Sequence, residues 1–311
     1  MQYKQLGNTD LKLSQLSYGA SPLGSVFRNI SENEGIRTVH TALDLGINHI
    51  DVSPYYGDTV AETVLGKALK SVTRDRYILS TKAGRYGADF ADFDFSAKRI
   101  EASLEESLTR LGVDGVDILY LHDIEFGDLN QVFNEAIPCL QALKAQGKIR
   151  YFGVTGYPIK IFEETINQFD IDCILTYCRY ALHDTSLTKL IPSLDAKGVG
   201  IINASPTGMG LLTERGAPSW HPGNKELLAA SQKAVALCQA HGVDVTEIAL
   251  QFAINHPSIV STLVGTANPL NIEKNVKWAE KKPDQALVEE LLALFKNTDC
   301  TWPSGHTINQ D

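Results

Sequence analysis

The run Leu16-Ser17-Tyr18-Gly19-Ala20-Ser21-Pro22-Leu23-Gly24 decides the architecture of this chain. It reads as a short apolar strand, Leu16–Gly19, that opens into a loop. In an open, doubly wound α/β sheet the first strand feeds a G-x-G-x-x-G turn that cradles a dinucleotide. Pro22 and the spacing of Gly19 and Gly24 do not fit that turn. The remaining α/β arrangement is a closed parallel barrel, and the rest of the chain has the rhythm for one. Short apolar runs recur at 49–51, 78–82, 116–122, 151–155, 174–178, 200–203 and 262–265. Each is followed by a stretch of helical period: 34–45, 61–70, 97–111, 132–146, 159–169, 187–197, a longer paired region over 225–255, and 270–280. In the first of these Ile36, Val39, His40 and Leu43 share one helical face. Eight strand–helix units predict an α/β fold, a (β/α)8 TIM barrel with extra helices near the C-terminus.

Local punctuation agrees. Gly46, Gly112, Gly147 and Gly198 fall just past helical stretches, where a left-handed cap favours glycine. Ser96 is placed as an N-cap without the full capping box, and Asn268-Pro269 opens the last barrel helix. Residues 3–6 and 11–13, around Gly7-Asn8-Thr9-Asp10, read as an N-terminal β-hairpin able to plug the barrel bottom. No linker or low-complexity segment divides the chain, so residues 1–311 are read as one domain. The long excursion 204–224, rich in Gly, Pro and Ser, follows strand seven on the face where barrels carry function.

Composition narrows the partners. The 311 residues carry 28 Lys and Arg against 37 Asp and Glu, a net charge of -9. That balance argues against a phosphate-backbone partner, since nucleic-acid binding needs a basic face, and favours a small polar substrate. The N-terminal stretch lacks a secretory signal's apolar core, and no apolar run is long enough to span a bilayer. Five cysteines, none in a CxxC pair, give neither a disulfide framework nor a zinc site; Cys173 and Cys178 read as buried thiols. No metal is expected, and a cytoplasmic location follows. Monomer and small homo-oligomer stay open.

In a barrel, chemistry sits where strands end. Asp51 ends strand two, Lys82 strand three and His122 strand four, while Tyr56 lies in the loop just beyond Asp51. Taken singly each has an ordinary explanation: a cap, a solvated lysine, a satisfied histidine, a packed ring. Together they bring a carboxylate, an ammonium, an imidazole and a phenol to one rim. A lysine at the end of an apolar strand needs a carboxylate, and Asp51 is on the neighbouring strand. A phenol of pKa about 10 exchanges protons poorly at neutral pH, and a nearby ammonium is expected to lower that value. Tyr56 is then a general acid–base for a hydroxyl proton while hydride leaves carbon, with His122 orienting the oxygen.

These pieces, Asp51-x-x-x-x-Tyr56-Gly57 with Glu62 and Leu65-Gly66 downstream, Ser80-Thr81-Lys82, and Leu121-His122, resemble the aldo-keto reductase superfamily over nearly the whole chain. The resemblance implies that Asp51, Tyr56, Lys82 and His122 are the catalytic tetrad. It also implies a nicotinamide cofactor held extended over the rim. Ser21 joins that site, and Ser205, Pro206, Thr207, Gly208 and Met209 match a pyrophosphate loop. Thr155-Gly156 stands where a Ser-Asn pair is common, Tyr177 where a glutamine is typical, and Ala204 where many members stack an aromatic ring on nicotinamide. The stretch from Gly265 and Thr266 to Asn271, Lys274 and Asn275 matches the adenosine-binding loop. NADPH-preferring relatives carry Lys and Arg at the positions of Gly265 and Asn271. A 2′-phosphate wants such cations, so NAD is expected over NADP, with Lys274 the one nearby charge against it.

Three stretches, 175–180, 203–212 and 301–305, resemble the aldose 1-dehydrogenase group. They imply a sugar substrate, oxidised at its C1 hydroxyl, with L-galactose to L-galactono-1,4-lactone ahead of L-fucose, D-threo-aldoses and D-arabinose. Tyr56, His122, Asp123 and Trp302 are the expected substrate contacts, and Arg85 and His183 compete as contacts with a reading as ordinary loop residues. A general NADPH aldehyde reductase, a noncatalytic nicotinamide-sensing subunit and a Schiff-base lyase using Lys82 are the alternatives. The ion pair with Asp51, which keeps a lysine non-nucleophilic, argues against the last.

Overall fold

The computed structural model describes residues 1–26 and 28–311. Strands β1 (Tyr3–Gln5) and β2 (Lys12–Ser14) form an antiparallel hairpin, with Lys4 opposite Leu13. Strands β3 (Leu16–Gly19), β4 (His49–Asp51), β5 (Ile78–Ala83), β6 (Val116–Leu121), β7 (Ile149–Gly156), β8 (Cys173–Tyr177), β9 (Gly200–Ala204) and β10 (Ile259–Gly265) follow. All eight pair in parallel, and β10 closes onto β3. Around them run α1 (Glu32–Asp44), α2 (Val60–Leu69), α3 (Ala97–Leu111), α4 (Leu129–Gln131), α5 (Ile137–Ala145), α6 (Ile159–Gln168), α7 (Ile191–Lys197), α8 (Lys225–Ala240), α9 (Val245–Ile254), α10 (Pro269–Ala279) and α11 (Gln285–Phe295).

The helix ends follow from their caps. Ser31, Ser96, Asn224 and Asn268 each accept a backbone N–H of the first turn, and Gly112 and Gly198 close α3 and α7 with φ near +68°. Two expected helices are interrupted, and proline is the cause in both. The stretch 132–146 begins earlier, at Leu129, and passes through a π turn at Val132–Ala136 before α5. Pro138 has no N–H for the carbonyl one turn back, and the wider turn absorbs the loss. The stretch 187–197 splits into a 3-10 turn, Ser186–Lys189, and α7, with Pro192 in the first turn of α7.

The hairpin sits at the strand-starting end of the barrel. Leu6, Leu11 and Leu13 are buried with Ile118, Cys173, Ile202 and Val260, and Asn8 N–H donates to Gly198 O at 2.8 Å. Burying a leucine contributes on the order of 1.5–3 kcal/mol, so the plug is part of the core. Helices α8 and α11 are the additions near the C-terminus. Leu227 and Ala234 of the first meet Leu287, Leu291 and Phe295 of the second in a core outside the barrel. No helix among the described residues is long and apolar enough to cross a membrane. All five cysteines are free and buried, Cys173 and Cys178 among them.

Candidate active site

Side chains alternate along a strand, so Ser80 and Lys82 point the same way, into the barrel, while Thr81 points out. Asp51 pairs in register with Ser80. The two inward neighbours therefore divide its carboxylate: Ser80 Oγ donates to Oδ1 at 2.7 Å and Lys82 Nζ to Oδ2. Outward, Thr81 donates to the fully buried Glu62 at 2.6 Å, and Arg110 of α3 donates to its other oxygen at 2.6 Å. Glu62 is thus a buried tie between α2, α3 and β5.

Lys82 is 1% exposed, and its ammonium spends its three hydrogens on Asp51, on Val52 O at 3.0 Å and on Tyr56 Oη at 3.1 Å. Burial alone would lower its pKa, but Asp51 and Tyr56 outweigh burial and the net movement is upward. The loop carrying Tyr56 is fixed by a close approach of two glycines. A Cβ on Gly24 would overlap Tyr56 O, and Gly57, at φ +63°, lies against Gly24 O. The Leu23–Gly24 end of the stretch that decided the fold is therefore what seats Tyr56.

The phenol departs from the sequence expectation. Burial pushes the Tyr56 pKa up, Lys82 pulls it down, and the net direction is up. The expectation counted the ammonium and omitted desolvation. The resting group is a neutral phenol. Its ring meets His122 edge-on, with centroids 5.7 Å apart.

His122 is 3% exposed and lies just past β6, its N–H on Ala83 O. Burial drives its pKa well below the usual histidine value, and Lys82 and Arg85 add to this while Asp123 opposes. Ser53 Oγ accepts the Tyr55 N–H and stands 3.0 Å from His122 Nδ1, which takes the hydroxyl hydrogen. The hydrogen-bond network thus assigns the neutral ring's own hydrogen to Nε2. His122 is a donor.

Asp123 has left-handed backbone, at φ +51°. Thr155 Oγ1 holds Oδ1 at 3.0 Å, and Arg85 Nη1 holds Oδ2 at 2.5 Å. Burial works against this carboxylate, yet with His122 and Arg85 beside it the pKa lies below the usual range. Glu125 behaves oppositely. It is fully buried, and burial followed by the nearby Asp123 charge pushes it up to about 8. Its Oε1 accepts Ser304 Oγ at 2.9 Å and Tyr157 N–H at 3.0 Å. His306 N–H and Asn309 Nδ2 both donate to Glu125 O at 2.9 Å, so the C-terminal tail is tied to the loop after β6. Trp302 is 8% exposed and stacks on Tyr157 at 4.7 Å, and Tyr177 Oη lies 3.4 Å from Ser304 Oγ.

Each non-glycine residue with left-handed backbone among the described residues lies in a loop after a strand: Ser25, Asp58, Thr59, Asp123, Cys178, Ser205 and Met209. Such backbone costs energy and gathers where function over-determines it. Ser205, Gly208, Met209 and Gly210 give one loop four positive φ values, while Pro206 is buried and Thr207 half-buried between them. His221 Nε2 stands 3.1 Å from Gly208 O, and a Cβ on Gly208 would press on His183. Ser21 opens the 3-10 turn after β3. Gly265 is exposed, and Thr266 Oγ1 accepts from Asn268 N–H at 3.1 Å and Asn271 Nδ2 at 3.2 Å. Lys274 is bound to Asp244 at 2.9 Å and lies over the Trp278 ring, one residue from the half-buried Asn275. Thr155 is engaged by Asp123 rather than free at the rim.

The structure thus gathers Asp51, Tyr56, Lys82 and His122 within a few ångströms. The sequence reading missed Ser53, Glu125 and Ser304, and left Arg85 undecided. Ser80 was legible from strand alternation, two residues before Lys82. Glu125 and Ser304 meet across 179 residues and carry no local signal.

Comparison with known proteins identifies the family and the fold. Residues 15–294 match the family described as Aldo/keto reductase family. The chain is 47% identical to the L-galactose dehydrogenase of Arabidopsis thaliana, over 98% of each chain. It is 30% identical to a D-threo-aldose 1-dehydrogenase from Pseudomonas, over 90% of this chain and 94% of that one. Among solved structures, a holo-form aldo-keto reductase from Bacillus halodurans superposes with a TM-score of 0.79 over the full length of both chains, at 25% identity.

Proposed function

The chain belongs to the aldo/keto reductase family, and on that footing we propose that it oxidises the C1 hydroxyl of an aldose, L-galactose first, to a lactone with NAD. It is an oxidoreductase acting on CH–OH groups. The observation that carries the proposal is the single buried ammonium of Lys82, shared between Asp51 and Tyr56 Oη.

In the oxidative direction Tyr56 Oη takes the C1 hydroxyl proton, and Lys82 stabilises the phenolate while Asp51 and Ser80 hold Lys82 in place. His122 Nε2–H donates to the same substrate oxygen and fixes its position. In reverse, the neutral phenol is already the proton donor. Asp123 and Trp302 complete the sugar pocket. A mismatched hydroxyl would leave buried polar groups unpaired, which is how such a pocket selects stereochemistry. A Schiff-base role for Lys82 fits poorly, because its three hydrogens are engaged and its charge is stabilised.

The residues suit a nicotinamide dinucleotide. The left-handed turns of Ser205–Gly210 are of the kind that can turn backbone N–H groups toward phosphate oxygens, and the capped start of α10 would add a positive helix end. When bound, the cofactor supplies the hydride acceptor. Ser21, Tyr177 and Asn275 would complete the extended cofactor site. The NAD preference rests on the exposed Gly265, on Asn271 bonded to Thr266, and on Lys274 held by Asp244. Screening L-galactose, L-fucose and D-arabinose with NAD and NADP, by NADH or NADPH absorbance, tests both parts. No aldose turnover beside reduction of simple aldehydes by NADPH would sink the assignment.

A further inference from the structure

We propose that Arg85 is a positioning residue for this reaction: it clamps the Asp123 carboxylate so that His122 Nε2–H stays free for the substrate oxygen. The inference rests on the tetrad roles given above and adds the device that keeps one of them available.

Asp123 Oδ2 lies 3.7 Å from His122 Nε2, beyond hydrogen-bonding distance but within reach of a small rotation. Two partners hold the carboxylate away. Thr155 takes Oδ1, and Arg85 Nη1 takes Oδ2 at 2.5 Å. Arg85 is itself locked. Its Nε donates to Gly87 O at 3.3 Å, and its guanidinium lies 3.8 Å over the Tyr55 ring, with Phe93 and Phe126 around it. The Tyr55 ring in turn meets His122 edge-on at 6.0 Å. Arg85 thus reaches the imidazole by two routes, through the carboxylate and through the ring it stacks on.

The charges facing His122 are few. Lys82 comes from β5, Arg85 from the loop after it, and Asp123 from the residue next to His122, while the loop after β4 contributes Tyr55, Tyr56 and the neutral Ser53. Burial is the first cause of the ring's neutrality, and two cations against one anion add to it. With Arg85 removed, Lys82 stands alone against an unclamped carboxylate. That carboxylate then draws the Nε2–H to itself and favours imidazolium, so both ring hydrogens are taken by protein groups.

Arg85→Gln tests this, read first by NMR of histidine-labelled protein with no sugar present, the His122 signal being identified by its loss in His122→Asn. In the unaltered protein His122 takes its second proton well below the ordinary histidine value. In Arg85→Gln that midpoint moves up, and in Arg85→Gln/Asp123→Asn it falls back. In parallel, kcat/KM for aldose oxidation acquires an acid limb of unit slope in Arg85→Gln that the double variant lacks. Arg85→Lys, which keeps the charge but not the planar fork, gives a smaller shift and serves should Arg85→Gln not fold. A His122 midpoint unmoved in both Arg85→Gln and Arg85→Lys, or a loss of activity uniform across pH, overturns the proposal. The NMR arm needs no turnover, so a wrong sugar assignment leaves it intact.

Discussion

Asparagine at position 51 keeps the shape of the site and removes its one full negative charge against Lys82. The ammonium, 1% exposed, then retains Val52 O and Tyr56 Oη but no anion. Removing one partner of a buried pair costs about 3–5 kcal/mol, because the other charge is left uncompensated. The Asn carbonyl still accepts one hydrogen bond, worth about 1 kcal/mol. The expected loss is therefore about 2–4 kcal/mol near neutral pH, on the order of what unfolds a marginal domain. In the unaltered protein the folded Lys82 pKa lies above its unfolded value, so its contribution is complete below about pH 10.4 and fades only above it. In Asp51→Asn burial prevails and the folded pKa drops below the unfolded one. The unfolded chain then binds the extra proton, and the variant gains stability as pH rises. Urea unfolding of both proteins at about pH 7 and about pH 9.5 reads this as a deficit that narrows with pH. A deficit under about 1 kcal/mol, or one that does not change between the two conditions, would refute the reasoning about Lys82.

Tyr56→Phe keeps the ring contact with His122 and removes the proton carrier, so kcat falls by about 10²–10⁴ while cofactor affinity, read by fluorescence titration, is unchanged. In the unaltered enzyme the raised Tyr56 pKa makes phenolate the scarce form. Oxidation should accelerate with pH past neutrality while reduction does not, and matching profiles for the two directions would contradict the assignment. Acid should also unfold the protein through its buried imidazoles. His49 is pushed down to about 4, His183 to about 3, and His122 well below its usual value, whereas unfolded histidine takes protons near about 6.5. Their contribution is present above about pH 6.5 and lost as pH falls toward 4, each at about 1.4 kcal/mol per unit, with Glu125 opposing one of them. A melting temperature constant across that interval would show that these rings are not held neutral.

Much of this was readable before any coordinates. The barrel followed from strand endings and glycine caps, which are local chemistry: β3, β4 and α3 fall where the sequence places them. That Asp51, Tyr56, Lys82 and His122 would meet was readable because strand ends in a parallel barrel all arrive at one rim. What escaped was non-local or a matter of balance. The direction of the Tyr56 shift depends on burial set by the whole barrel mouth, which no spacing records. Arg85 reads as a loop residue until Asp123, from the loop of the next strand, is seen beside it. The latch of Glu125 to Ser304, His306 and Asn309 joins the loop after β6 to the tail, and neither segment has a pattern that announces the other. Pro138 and Pro192 were visible, but their effect, a widened turn in one case and a split helix in the other, depends on the packing that keeps the rest of each stretch helical.

The central claim is that hydride leaves C1 of an aldose while Tyr56 takes the hydroxyl proton. L-galactose carrying deuterium at C1, incubated with the enzyme and NAD, tests it directly by mass spectrometry of the reduced cofactor. The account predicts deuterium in the NADH, a slower rate than with the unlabelled sugar, and no transfer by Tyr56→Phe above background. Unlabelled NADH, or transfer undiminished in Tyr56→Phe, would contradict it.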